Sequence, residues 1–113
     1  MTALDFAQRL VGEIAERPDG AHHPFIVWCH ESCNLVDTSD EVPWCSSFVN
    51  RVCWIFSVKR SRSAKARSWL MVGIATTLAQ ATPGWCVVVI KRGVGPQPGP
   101  EHLDAPGHVT FFA

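Results

Sequence analysis

The sequence predicts a small α+β domain in which N-terminal helices pack on a small antiparallel sheet. Apolar residues fall at helical spacing through much of the first half of the chain, and two short runs near the C-terminus are rich in β-branched and aromatic residues. The chain has 113 residues, of which 47% are hydrophobic, enough to bury one core. We therefore expect residues 1–113 to form a single domain.

Residues 2–16 predict an amphipathic N-terminal helix. Its apolar stripe consists of Leu4, Ala7, Val11 and Ile14. Thr2 and Asp5 have the spacing of a capping box, and residues 18–20 (Pro-Asp-Gly) supply a stop signal. A second helix, largely buried, is expected to begin at Pro24, because proline suits the first position of a helix.

A third helix is predicted to begin close to Cys45. Its apolar face consists of Cys45, Phe48, Val49, Val52, Cys53 and Phe56. Asp40 or Glu41 is in place to cap the start, and Pro43 suits the first helical position. Cys45 is therefore expected in the first turn.

The C-terminal half predicts two strands joined by a long loop. Residues 85–91 and 108–112 have the composition of strands, and residues 93–106 between them are rich in glycine and proline. Residues 72–78 are apolar and predict either a helix end or a further strand. Because the long loop ends beside the second strand, it is a candidate wall of a binding cleft.

The position of Cys45 points to nucleophilic chemistry. Free backbone N–H groups and the helix dipole stabilise negative charge at a helix start, which favours the thiolate form of Cys45. A thiolate nucleophile needs a proton acceptor, and His108 opens the second predicted strand. Gly107 before it allows close approach of another backbone or of a substrate. We predict Cys45 as nucleophile and His108 as general base and acid, the papain-like arrangement, with His102 as a weaker substitute base.

Four blocks of the sequence, in order, resemble small phage and bacterial peptidoglycan hydrolases of the NlpC/P60 and CHAP group. The blocks are PWCSSFVN at 43–50, SAKARSWL at 63–70, VVVIKRG at 87–93 and GHV at 107–109, and residues 12–20 and 23–24 resemble the entry region of that family. The resemblance implies a papain-like fold and a cysteine amidase or endopeptidase that cleaves a stem-peptide or muramoyl–alanine amide. Trp44, Ser46 and Gly107 are the predicted substrate contacts, with core packing an equal alternative for Trp44.

The chain departs from that family after His108. In the family the sheet continues and supplies a polar residue that orients the histidine, whereas here only residues 109–113 follow. We therefore expect the third residue to come from an earlier position or a partner chain, or the enzyme to use a Cys–His dyad, or the activity to be impaired. The last strand is expected to present an apolar edge that invites a partner. These features favour the alternative function, a non-catalytic structural subunit, for example of a phage tail.

Two further alternatives rest on separate clusters. Cys29 and Cys33, with His22, His23 or His30, are candidate zinc ligands, although the second ligand pair of a structural site is missing. The basic run at 59–67 is a candidate nucleic-acid surface, but it lacks interleaved aromatic residues and is better interpreted as a solvated loop leading into a short helix.

Net charge, the length of apolar runs and the cysteine count narrow the classes of protein to which this chain could belong. The formal net charge is zero, so nothing global indicates a nucleic-acid partner, and no run of 18 apolar residues predicts a membrane span. The five cysteines are an odd number without a signal peptide, which indicates reduced thiols. We expect no cofactor and no metal. We expect synthesis in the bacterial cytoplasm and action on peptidoglycan after release through a holin pore or as part of a virion.

Overall fold

The computed structural model describes residues 1–17, 21–40, 42–93, 95–96, 98–99 and 102–113. These residues form α1 (Ala3–Arg9), α2 (Pro24–Glu31), α3 (Cys45–Ile55), a 3₁₀ helix (Ala66–Met71), β1 (Val87–Lys91) and β2 (Gly107–Phe111). The two strands form an antiparallel pair, so the described part of the chain confirms an α+β architecture. No helix within these residues is long and apolar enough to cross a lipid bilayer.

Helix α1 begins as predicted but ends earlier. Thr2 accepts the backbone N–H of Asp5 and Asp5 accepts that of Thr2, which confirms the capping box. The helix stops at Arg9, with Leu10 as its C-cap, so its predicted extension to residue 16 is wrong. Gly12 adopts a φ of +83°, a left-handed conformation that interrupts helical hydrogen bonding. The predicted stop at residues 18–20 lies outside the described residues.

Helix α2 is buried against α3, which confirms its predicted character. His23 caps its start by accepting the Phe25 N–H at its Nδ1 atom, and Ile26 is fully buried. Arg51 of α3 donates from Nε and Nη2 to the Trp28 carbonyl at 3.0 and 2.7 Å, and its guanidinium lies 4.2 Å from the centre of the Trp28 ring. This buried cation therefore joins the two helices through both hydrogen bonds and the aromatic face.

Helix α3 forms the centre of the molecule. Its predicted apolar face is confirmed, since Val49, Val52 and Cys53 form the core with Ala3, Ala66, Trp69, Val109 and Phe111. The predicted caps are wrong. Trp44 is the N-cap and makes no side-chain capping bond, and Pro43 precedes the helix. Glu41 lies outside the described residues, and the Asp40 side chain accepts hydrogen bonds from other segments of the chain.

Asp40 ties two distant segments together. Its buried carboxylate accepts the backbone N–H groups of Arg17 and His23, both at 2.9 Å, and lies 3.2 Å from Nδ1 of His22. The N–H groups of Arg17 and His23 lower the pKa of Asp40 to about 2. The carboxylate therefore stabilises the approach to α2 rather than the start of α3.

A buried polar network fixes the other side of α3. Asn50 donates from Nδ2 to Ser61 Oγ and to the Ser63 carbonyl, each at 3.1 Å, and its Oδ1 accepts the Arg62 N–H at 2.7 Å. Ser46 donates to the same Ser63 carbonyl at 2.6 Å. The loop before the 3₁₀ helix is thereby bound to α3 through side chains that water does not reach.

The two strands have one face toward α3 and one face away from it. In the register Val89 pairs with Val109, and Ile90 pairs with His108. Val109 and Phe111 are buried, whereas His108 and Ile90 are exposed. Both predicted strands are confirmed, although β1 begins at Val87 rather than residue 85. Residues 72–78, predicted as helix end or strand, form neither after Met71.

Replacing Asp40 by asparagine should destabilise the protein in a pH-dependent way. The folded-state pKa of about 2 is below the unfolded value of about 3.9, so the carboxylate stabilises the fold above pH 4 and loses this effect as the pH falls through 2. In urea denaturation, Asp40→Asn should therefore lose more stability at pH 6 than at pH 3. Glu13→Gln, at an exposed carboxylate, is the control. A deficit that does not change with pH would contradict this role.

Asn50→Ala should lower the free energy of unfolding by about 1–3 kcal/mol, because it removes the buried side chain that pairs with part-buried donors and acceptors of residues 61–63. Urea denaturation measures the change. Gln80→Ala, at an exposed amide, should be nearly neutral. Equal effects of the two substitutions would contradict the network.

Candidate functional site

A cavity of about 840 Å³ lies where three parts of the chain meet. One wall is α1 with the segment that follows it, a second is the start of α3, and the third is the hairpin of β1 and β2. The candidate functional residues on these walls are Glu16, Trp44, Cys45, Lys91, Arg92 and His108. Most of the remaining wall is apolar, which is typical of ligand-binding cavities.

Cys45 occupies the first position of α3 and lines this cavity. The first backbone hydrogen bond of the helix joins the Phe48 N–H to the Trp44 carbonyl at 2.8 Å. The N–H groups of residues 45–47 therefore lie in the first turn, ahead of the first i→i+4 hydrogen bond of the helix. N–H groups in this position stabilise a negative charge. The half-buried thiol is in the position that the sequence predicts.

The other cysteines have different surroundings. Burial raises the pKa of Cys29 to about 12 and that of Cys53 to about 11, so both remain protonated at neutral pH. Cys33 is also buried, and the Cys86 sulfur accepts the Thr82 N–H at 3.3 Å. Of the five cysteines, Cys45 alone lines the cavity between the described segments.

His108, on β2, lines the same cavity as Cys45. Because side chains alternate along a strand, His108 shares the outward face of β2 with Thr110, while Val109 and Phe111 face α3. Within the described residues the His108 ring forms no hydrogen bond, so no third residue orients it there. The imidazole therefore belongs to the rim of the cavity.

Of the three predicted substrate contacts, Trp44, Ser46 and Gly107, only Trp44 lines the cavity. Trp44 lines the cavity, and its Nε1 donates to Glu16 Oε1 at 3.1 Å, which joins two of the walls. Ser46 does not line the cavity, and its hydroxyl is fully buried between the Ser63 carbonyl and Trp69 Nε1, so the side chain is not offered to a ligand. Gly107 does not line the cavity. A Cβ there would lie 3.2 Å from Cγ of Arg67, so its close approach is to that arginine and not to a ligand.

Arg67 is a buried residue that the sequence did not single out. It donates from Nη1 to the carbonyls of Pro98 and Gly99 at 3.1 and 2.9 Å, and from Nε to that of Pro106 at 3.1 Å. The expectation of a solvated basic run is therefore wrong at this position, although the short helix after it is confirmed. A single arginine within a basic run carries no sequence signal of burial.

The proposed zinc ligands do not converge. His30 is buried, its Nδ1 lies 2.7 Å from Ser47 Oγ, and burial lowers its pKa. His22 pairs with Asp40, and the pKa of Cys29 is raised as described above. Within the described residues, no three histidine, cysteine or acidic side chains are grouped so that they would hold a metal ion. His102, the substitute base, does not line the cavity.

Comparison of the chain with models of protein families, with curated proteins and with solved structures finds no match. Its function is therefore inferred from the residues around the cavity and from the sequence blocks described above.

Native alkylation should distinguish the thiols. Iodoacetamide should modify the half-buried Cys45 and Cys86 at pH 8, whereas the buried Cys29 and Cys53 should react only after unfolding because burial raises the pKa of each. Peptide mass mapping with and without urea measures the modification. Modification of Cys29 at the rate of Cys45 in the native protein would contradict the described burial.

Proposed function

We propose that this protein is a cysteine-dependent amide hydrolase that cleaves bacterial peptidoglycan at a stem-peptide or muramoyl–alanine bond. The observation that carries the proposal is the presence of Cys45, at the first position of α3, and His108 on walls of one cavity. The substrate class follows from the four sequence blocks that resemble the NlpC/P60 and CHAP group. The papain-like fold of that group is part of the same proposal.

In the proposed reaction the Cys45 thiolate attacks the amide carbonyl. The thiol proton passes to His108, and the tetrahedral oxyanion accepts hydrogen bonds from the free N–H groups of the first turn of α3. The C–N bond then breaks, and His108 protonates the leaving amine. Water hydrolyses the thioester and restores the thiol. Trp44 forms a wall of the cleft beside the sulfur.

Two features of the cavity support an extended substrate. The cavity is mostly apolar and is large enough for several residues of a peptide. The Trp44–Glu16 hydrogen bond keeps the segment after α1 beside the start of α3. For the dyad to act, the His108 ring must reach the sulfur from the rim. We place the activity at the cell wall, after release through a holin pore or within a virion.

A second candidate is a non-catalytic structural subunit, for example of a phage tail, that keeps the hydrolase fold. The outward face that His108 shares with Thr110, and the lack of an orienting hydrogen bond to its ring within the described residues, favour this candidate. A wild-type protein that leaves purified wall intact would support it.

Cys45→Ser should abolish wall cleavage. Wild-type protein should clear a suspension of purified bacterial wall and release new amines without new reducing sugar ends. The Cys45→Ser rate should fall by at least about a thousandfold, because the serine hydroxyl is far less ionised than the thiol. His108→Ala should also cause a large loss in the rate of wall cleavage.

Cys86→Ser and Cys53→Ser are the matched controls, since neither sulfur lines the cavity. Cys86→Ser should keep the wild-type rate, and Cys53→Ser should change stability at most. Equal loss of activity in all three cysteine variants would exclude Cys45 as the nucleophile.

A further inference from the structure

The end of β1 places two cations at the cavity. Lys91 is the last residue of the strand, Arg92 follows it, and both are exposed and line the cavity. By strand alternation Lys91 is on the face of Val87 and Val89, which pack against the core. Its register partner is Gly107, which has no side chain to cover it. An ammonium group therefore continues the face of the hairpin that is directed toward α3.

The described surroundings do not neutralise these cations. The ion pairs within the described residues are His22–Asp40 and Lys65–Asp104, so neither Lys91 nor Arg92 takes part in one there. Glu16 is the single acid among the described residues of the cavity wall, and one of its oxygens accepts the Trp44 indole N–H. The wall beside β1 therefore favours an anion, while the rest of the cavity favours apolar groups.

We propose that Lys91 and Arg92 form a subsite for a free carboxylate of the substrate, which makes the preferred substrate an acidic peptide. The inference rests on the proposed amide hydrolysis at Cys45, since subsite and nucleophile line the same cavity. Arg92 offers the forked donors that match a carboxylate, and Lys91 adds a point charge at the same end of β1. The apolar wall holds the remainder of the peptide.

Binding is tested in the Cys45→Ser background, where no turnover occurs. Two probes are compared by isothermal titration calorimetry: a synthetic wall stem peptide with the glutamate α-carboxylate free, and the same peptide with that group converted to a primary amide. The free acid should bind about fivefold more tightly, as expected for partly solvated charge pairs. The preference should shrink when salt is raised from 50 to 500 mM, because exposed charges are screened.

Lys91→Gln and Arg92→Gln should each reduce the preference, and together they should remove it. Lys59→Gln, at an exposed lysine that does not line the cavity, should keep it. Equal binding of the two peptides, no binding of either, or a preference that survives the double substitution would overturn the subsite. Because the measurement needs no catalysis, its outcome is independent of whether Cys45→Ser changes wall cleavage.

Discussion

The structure depends on the burial of polar side chains at the start of α3. Ser46 and Asn50 bind the loop at residues 61–63, and Ser47 meets His30 of α2 on another side of the helix. Buried polar groups must be paired, so α3 has one favourable orientation between its neighbours. That orientation directs Val49 and Val52 into the core and leaves the first turn, with Cys45, at the cavity.

Segments without regular structure are held by main-chain hydrogen bonds to two buried charges. Asp40 accepts backbone N–H groups at residues 17 and 23, and Arg67 donates to backbone carbonyls at residues 98, 99 and 106. Charge-assisted bonds of this kind are stronger than neutral ones. Asp40 thus stabilises the approach to α2, and Arg67 positions the chain that enters β2, immediately before His108.

The cavity combines a buried side and a solvated rim. Val49 and Phe111 are buried and Cys45 is half-buried, whereas His108, Lys91 and Arg92 are exposed. Such a division suits a ligand with apolar groups inside and charged groups at the mouth. It also separates two questions about this protein: what the cavity binds, which depends on its cations, and whether the bound group reacts, which depends on how His108 approaches the sulfur.

The sequence by itself determined the local elements: the capping box of Thr2 and Asp5, the apolar face of α3, the two strands, and the position of Cys45 at a helix start. Each follows from periodicity or from contacts within one turn. Tertiary structure alone decided that Ser46 is buried and that Gly107 lies against the Arg67 side chain. It also decided that the Asp40 carboxylate accepts hydrogen bonds from the backbone N–H groups of residues 17 and 23. These outcomes depend on partners distant in the sequence, and a pattern of residue types does not specify which distant group will occupy a given hydrogen bond or face of a strand.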